Sequence, residues 1–189
     1  MLFRSWQKFK LPNGDPLRPF TSTEEMDEAM VERWNSVVGP NDTVYHLGDV
    51  VINRKSLQIL NRLNGDKVLI RGNHDIFRDT EYNMYFRELR AYHVMNGLIL
   101  SHIPVHPESL GRFGTNIHGH LHANRVKKIR GVNAKTGELL YSDENDVRYH
   151  CVCVEQTPDY APILFEDVIK RIEAEGGSVG FKNGNGPIM

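Results

Sequence analysis

The sequence predicts an α/β fold built on parallel strands, and three observations point to it. Residues 43–47 and 67–70 are apolar runs of β type, and each ends in a glycine turn, Gly48-Asp49 and Gly72-Asn73-His74-Asp75. A helix-length segment, residues 55–63, lies between them, and this β-α-β spacing implies parallel strands joined by a right-handed crossover. Ahead of both, Ser22-Thr23-Glu24-Glu25 has the form of a capping box, with Ser22 as N-cap and Glu25 three residues later.

Taken in order, residues 1–20 are expected to be irregular, because Lys10-Leu11-Pro12-Asn13-Gly14-Asp15-Pro16 is rich in turn formers. The helix from Ser22 carries Met26, Met30, Trp34 and Val37-Val38 at helical spacing, a core stripe, and Gly39-Pro40 ends it. In residues 55–63, Leu57 and Leu60, with Ile59, are expected inward, and Asn64-Gly65 closes the segment. Residues 79–91 read as a helix carrying Tyr82, Tyr85, Phe86 and Leu89. Residues 92–94 and 98–101 flank Asn96-Gly97, a strong signal for a two-residue hairpin. Residues 103–115 read as irregular, 116–118 as a short strand and 150–155 as another. The polar, basic stretch 123–148 reads as a loop or hairpin turning at Lys135-Thr136-Gly137. Residues 162–174 begin extended and become helical. One domain is expected over residues 1–175, followed by a glycine-rich, disordered tail over 176–189.

The composition narrows the function classes. With 189 residues, 40% apolar and 25% charged, the chain is ordinary for a globular protein. A net charge of −1 gives no broad attraction to nucleic acid or membranes. No apolar run approaches the ~20 residues of a membrane span. The N-terminus lacks the apolar stretch of a signal peptide, so a cytoplasmic protein is expected. Cys151 and Cys153 share one face of a strand and read as two small buried apolar residues. The run Arg125-Val126-Lys127-Lys128-Ile129-Arg130 is the one candidate footprint for nucleic acid, and it reads better as a solvated hairpin.

Histidine, aspartate and asparagine crowd the strand ends. Loops at one rim of an open α/β sheet converge, and ligands collect there. Asp49, Asn73, His74 and Asp75 follow the two glycines. His102 follows the apolar run Leu98-Ile99-Leu100-Ser101, and Gly119-His120-Leu121-His122 follows Asn116-Ile117-His118. Divalent cations of hard or borderline character take Asp oxygen, His nitrogen and amide oxygen, the groups concentrated here. Other histidines read differently. His46, inside a strand, reads as packing. His93 and His106 read as loop or surface residues, with His106 a candidate cleft residue. For His118, a structural and a ligand role both stay open.

The ordered set G-D, G-N-H-D, strand-H and G-H-x-H resembles the calcineurin-like metallophosphoesterases. The likeness is greatest to their small stand-alone branch, whose further segments here read Arg18-Pro19-Phe20, Trp34-Asn35, Leu47-Gly48-Asp49 and Ser101-His102-Ile103-Pro104-Val105-His106-Pro107. It extends roughly over residues 16–174. The resemblance implies a four-layer α/β/β/α sandwich and hydrolysis of a phosphomonoester or phosphodiester at a dinuclear centre of Mn, Fe or Zn ions that activates water. It implies Asp49 as the bridging carboxylate, Asn73, His102 and His120 at one metal, and His122 at the other. It implies His74 as the group that acts on the phosphoryl group, with Asp75 orienting its imidazole, and Arg71 as a candidate phosphate contact. The implied substrate is a phosphorylated small molecule or nucleotide.

The chain departs from the family at its first motif, D-x-H, on an N-terminal strand. No histidine precedes His46, and Asp15 is the only acidic residue before Glu24. Without that strand, an unpaired strand edge and an apolar slot are expected, and one metal site is expected to be incomplete. Two explanations follow: a start upstream of Met1 in the natural gene, the favoured expectation, or a chain that keeps one full site plus His122. In the second case a catalytically weak relative, binding one ion or a phosphorylated ligand, is the alternative function.

Overall fold

The structure, a computed structural model, describes residues 10, 14 and 16–181. The segment 1–9, most of the loop expected at 10–16 and the tail beyond 181 lie outside the described residues. Helix α1 spans Thr23–Val37. Ser22 caps it by accepting the Glu25 N–H at 3.0 Å, and the Glu25 carboxylate reaches back one residue beyond the cap to accept the Thr21 N–H at 2.7 Å. Met26, Met30, Trp34 and Val38 are buried. Val37, expected with them, is 48% exposed, because it falls a residue off the buried face.

Strand β1 (Thr43–His46) is followed by a 3₁₀ segment, Arg54–Arg62, and by β2 (Asp66–Ile70), parallel to β1 with Thr43 opposite Asp66. Residues three apart eclipse in a 3₁₀ helix, so Leu57 and Leu60 both reach the core, and Ile59 is half-buried. The helix expected over 79–91 is a correction. Only one turn forms, α2 (Asp79–Tyr82), and β3 (Glu88–Arg90) then pairs parallel with β2. The backbone of β2 decides this. Lys67 O accepts the Arg87 N–H at 2.8 Å, and Arg71 N–H donates to Arg90 O at 2.9 Å, bonds a continuing helix would forfeit. Tyr82 and Phe86 are still buried.

The second sheet runs β4-β5-β6-β9: Tyr92–Met95, Leu98–Ser101, Asn116–His118 and Tyr149–Cys151. β4 and β5 form the expected hairpin. Asn96 and Gly97 both take positive φ, 52° and 73°, as a two-residue turn of that hand requires. The strand expected at 150–155 stops at Cys151, and a 3₁₀ turn covers Val154–Gln156. Strands β7 (Lys127–Val132) and β8 (Leu139–Asn145) form a separate hairpin. Its two lysines face acidic or polar partners: Lys128 pairs with Glu144 at 2.6 Å, and Lys127 donates to Asn145 at 2.9 Å.

Helix α1 and the 3₁₀ segment cover one face of the β1–β3 sheet, burying Met30, Trp34, Leu57, Leu60 and Leu69. Between the sheets lie Ile70, Leu98, Leu100 and Ile117, joined by Val168 and Ile172 of α3 (Phe165–Ala174). Beyond α3, Gly177 N–H donates to Ile172 O at 2.8 Å, Thr115 hydroxyl donates to Ser178 O at 2.9 Å, and Phe181 packs on Phe113. Residues 176–181, expected in a disordered tail, therefore pack against the second sheet. Among the described residues β1 pairs with β2 alone. A cavity of about 730 Å³ lies at that strand, lined by Val44, Tyr45, Leu100, Ile117 and Val152 and reaching Asp49, His102, His120 and His122. The cavity runs along the edge of β1 that pairs with no other described strand.

Candidate metal centre

The site forms where β1, β2, β5 and β6 end. Gly48 takes φ +84°, and a Cβ there would meet His102 Nδ1 at 2.5 Å and the Gly72 amide at 2.6 Å. Only glycine allows both the turn and this approach. The two glycine turns are tied together by Asp75, which is buried. Its Oδ2 accepts the N–H groups of Asp49 (2.7 Å) and Gly72 (2.8 Å), and its Oδ1 accepts that of Val50 (2.9 Å). Asp75 thus holds the loops. Toward the His74 ring, the expected orienting partner of Asp75, no hydrogen bond from this carboxylate is present among the described residues.

Asp49, at φ +56°, carries its carboxylate into the gap between the sheets. Its Oδ1 accepts the His74 N–H at 2.8 Å, and its Oδ2 lies 3.3 Å from His102 Nε2. That same nitrogen is 2.9 Å from Asn73 Oδ1 and 3.2 Å from His120 Nδ1. His102 Nδ1 faces the Leu47 carbonyl at 2.7 Å and donates to it. In neutral His102 the proton therefore sits on Nδ1, and Nε2 presents a lone pair. In that tautomer a carboxylate oxygen, an amide oxygen and an imidazole lone pair converge beside His120 Nδ1, whereas protonated His102 gives its Nε2 proton to Asp49. A cation at their centre would satisfy all of them, so the donor set fits a divalent ion. Ligand atoms of Asp49, His102 and His120 all lie within 4.8 Å of one another.

The electrostatics agree. Burial pushes the Asp49 carboxyl up, but the bonds from His102 and the His74 amide, with nearby imidazole charge, outweigh it and bring it down to about 2. Burial opposes protonation of His102, yet Asp49 and the Leu47 carbonyl raise its pKa. Burial and then His102 lower that of His120.

His122 lines the same cavity but falls outside the tight group. It takes φ +53°, and four side chains hold its backbone and ring, among them Cys151, whose Sγ–H donates to the His122 carbonyl at 3.7 Å. Its N–H donates to Cys153 Sγ at 3.3 Å, its carbonyl accepts from Gln156 Nε2 at 3.0 Å, and its Nδ1 lies 3.2 Å from Glu155 Oε1. Arg18 Nη2 pairs with that oxygen at 2.7 Å, both side chains being buried. Burial raises the Glu155 carboxyl, while His122 and Arg18 more than offset this and hold it at about 2. Sequence reasoning missed Glu155, the Arg18 pairing and the service of the two cysteines. Strand alternation offered no signal for them, because the strand ends at Cys151 and a 3₁₀ turn carries Glu155.

His74 is exposed at the rim. Arg71, the expected phosphate contact, bonds Asp79, Asp75 O and Phe77 O through its guanidinium and lies over the Tyr82 ring, so the loop already uses three of its donors. His118 is buried, with Nδ1 2.8 Å from the Gly119 carbonyl, which places it under the loop and outside the cluster. His46 packs edge-on against Phe86, and His93 stacks on Tyr45. His106 is exposed and accepts the Glu108 N–H at 3.3 Å.

The family model of the calcineurin-like phosphoesterases matches residues 20–177. The chain belongs to that family. An uncharacterized protein of Methanocaldococcus jannaschii is 34% identical over 164 residues, covering 82% of this chain and 80% of the relative. The crystal structure of a protein of unknown function from Aquifex aeolicus superposes with a TM-score of 0.57 at 28% identity, covering 82% of this chain and 87% of the other. Calcineurin-like phosphoesterases hydrolyse phosphoesters and bind divalent metals, and the acceptor cluster at Asp49, His102 and His120 is where this member offers such a site. No helix among the described residues is long and apolar enough to cross a membrane.

Proposed function

We propose that the chain is a metal-dependent hydrolase of phosphomonoesters or phosphodiesters that holds one ion tightly through Asp49, Asn73, His102 and His120. The observation that carries this reading is the convergence of four acceptor-type groups around His102 Nε2. When bound, an Mn, Fe or Zn ion supplies Lewis acidity toward a phosphoryl oxygen and lowers the pKa of water. His122 and Asp49 are the residues toward which a second, weaker ion would turn. Glu155 beside His122 is engaged by Arg18, so that side offers less.

The chain's own residues do the rest. Asp49 and His102 keep the cluster anionic and oriented, and Asp75 fixes the two loops that carry Asp49 and Asn73. His74 is tethered beside the cluster by its backbone N–H, which donates to Asp49 Oδ1. As water bonds to phosphorus and the bond to the leaving oxygen breaks, its imidazole gives a ring proton to that oxygen, and the proton shed by the attacking water restores the ring by way of solvent. The substrate we assign is a phosphorylated small molecule or nucleotide handled in the cytoplasm.

The test is reconstitution of the protein with Mn(II), Fe(II) or Zn(II) and assay on an aryl phosphomonoester and an aryl phosphodiester. Metal-dependent release of the phenol, lost in Asp49→Ala, is expected. Tight metal binding with no turnover of either ester would replace this reading with that of a binding protein.

A further inference from the structure

We infer that Glu155 is a positioning residue for His122: its buried carboxylate fixes the proton of His122 on Nδ1 and so presents Nε2 as the nitrogen able to meet a cation. The inference rests on the reading of His122 as a metal-facing residue in the proposed function. A carboxylate has no hydrogen to donate, so the short contact between Glu155 Oε1 and His122 Nδ1, 3.2 Å, needs the proton on the imidazole side. A histidine that binds metal through one nitrogen characteristically gives its other N–H to such an acceptor, which sets both tautomer and ring orientation.

Glu155 is itself held. Arg18 donates to the same Oε1 twice, from Nε at 2.9 Å and from Nη2 at 2.7 Å, and the side chains of Arg18 and Glu155 are 1% and 4% exposed. Glu155 Oε2 is buried and has no hydrogen-bond partner among the described residues. One oxygen thus gathers all the donors, and the carboxylate has one preferred pose. The backbone of His122 is fixed from the same segment, by Cys153 and Gln156, so residues 153–156 set the ring and the main chain of residue 122 together. Arg18 precedes α1, and Glu155 follows β9. The relay therefore ties His122 to the segment before α1 and to the turn after β9.

The test uses two variants of the full chain. Glu155→Gln keeps an acceptor oxygen at the same reach. The double variant Arg18→Met/Glu155→Met removes acceptor and buried cation together, since replacing both members of a buried ion pair with apolar groups is tolerated where removing one is not. The first readout is the His122 tautomer in metal-free protein, from side-chain nitrogen NMR. The Nδ1–H form is expected in the parent and in Glu155→Gln, and it should give way to the Nε2–H form in the double variant. The second is the Kd for the second, weaker Zn(II) ion, the one His122 would hold, expected to rise about 10–100-fold in the double variant and only a few-fold in Glu155→Gln, with the tight ion retained in both. An unchanged tautomer in the double variant overturns the inference. So does a Glu155→Gln protein that loses metal as fully as Asp49→Ala, because Glu155 would then be a ligand. The tautomer is read without metal, so its outcome stands even if the chain proves not to hydrolyse phosphoesters.

Discussion

The two sides of the site are built differently. Around His102, ligand-type atoms from four separate strand ends meet within hydrogen-bonding distance, and no single segment supplies them. Around His122, one imidazole is held by one segment, residues 153–156, and its carboxylate neighbour is neutralised by a buried arginine. The first arrangement has surplus negative and lone-pair density for a cation to satisfy. The second is already charge-balanced. The contrast teaches that proximity of metal-capable residues does not make a site. What counts is whether their acceptors are left to face one another or are already given donors.

The largest effect should separate the two sides directly. Asp49→Ala should reduce bound ion to background in elemental analysis after dialysis. It should also cost roughly 10³-fold or more in kcat/KM, the several kcal/mol that a metal contributes to charge stabilisation. His122→Ala should retain close to one ion per chain. Equal loss of metal from both variants, or two tightly held ions in the parent, would erase the distinction drawn here.

His74 sharpens the comparison, since it belongs to the convergent side without being part of the donor set. His74→Ala should keep its ion and lose about 10²–10⁴-fold in kcat on an alkyl phosphoester, the usual contribution of a general acid. The loss should be smaller on an aryl ester, whose leaving oxygen needs little protonation. Equal losses on the two esters would remove the proton-donor role.

Asp75 comes next, and its effect is on stability. Asp75→Ala strands the buried amides of Asp49, Val50 and Gly72. Unpaired buried donors cost about 1–3 kcal/mol each, and relaxation recovers part, so a loss of roughly 3 kcal/mol or more in urea unfolding is expected. Ion affinity should fall with it. A variant as stable as the parent would mean that the loops are held elsewhere.

Much of this was legible in the sequence, for identifiable reasons. The glycine turns, the hairpin at Asn96-Gly97 and the capped helix at Ser22 are written locally, so they could be read locally. The set Asp49, Asn73, His102 and His120 was legible because each residue follows an apolar run that ends at one rim. The illegible parts depended on distant partners. Residues 88–90 carry helical spacing, yet the free edge of β2 takes them as a strand. Asp75 stands beside His74 in sequence, but the bends at Gly48 and Gly72 aim three amides at its carboxylate. Asp49, His120 and His122 all adopt positive φ, at 56°, 67° and 53°. Such backbone is costly for side-chain-bearing residues and tends to collect at functional sites, but no residue type announces it. Gly177 and Ser178 looked like tail until their backbone met Ile172 and Thr115.

The smallest effect concerns what lies beneath the convergent side. His118 is buried under the Gly119 turn, and burial first, then the charges of His150, His120 and His102, against the bond to Gly119 O, leave its pKa lowered to about 4. An unfolded histidine titrates near 6.5. As pH falls the unfolded chain takes this proton before the folded one does, so the stability owed to neutral His118 is complete above pH 6.5. It is lost progressively between 6.5 and about 4. One such proton changes stability by at most about 1.4 kcal/mol per pH unit. His102 acts in the opposite sense in metal-free protein, because its raised pKa favours folding at lower pH and that gain is lost as pH rises through the folded value. The informative quantity is therefore a difference. Metal-free parent and His118→Gln should be unfolded in urea from pH 7 to 4.5, and the parent should lose stability more steeply by up to about 1 kcal/mol per unit. Parallel curves would mean that His118 takes up its proton in the folded chain as readily as in the unfolded one, and that the floor of the convergent side is wet.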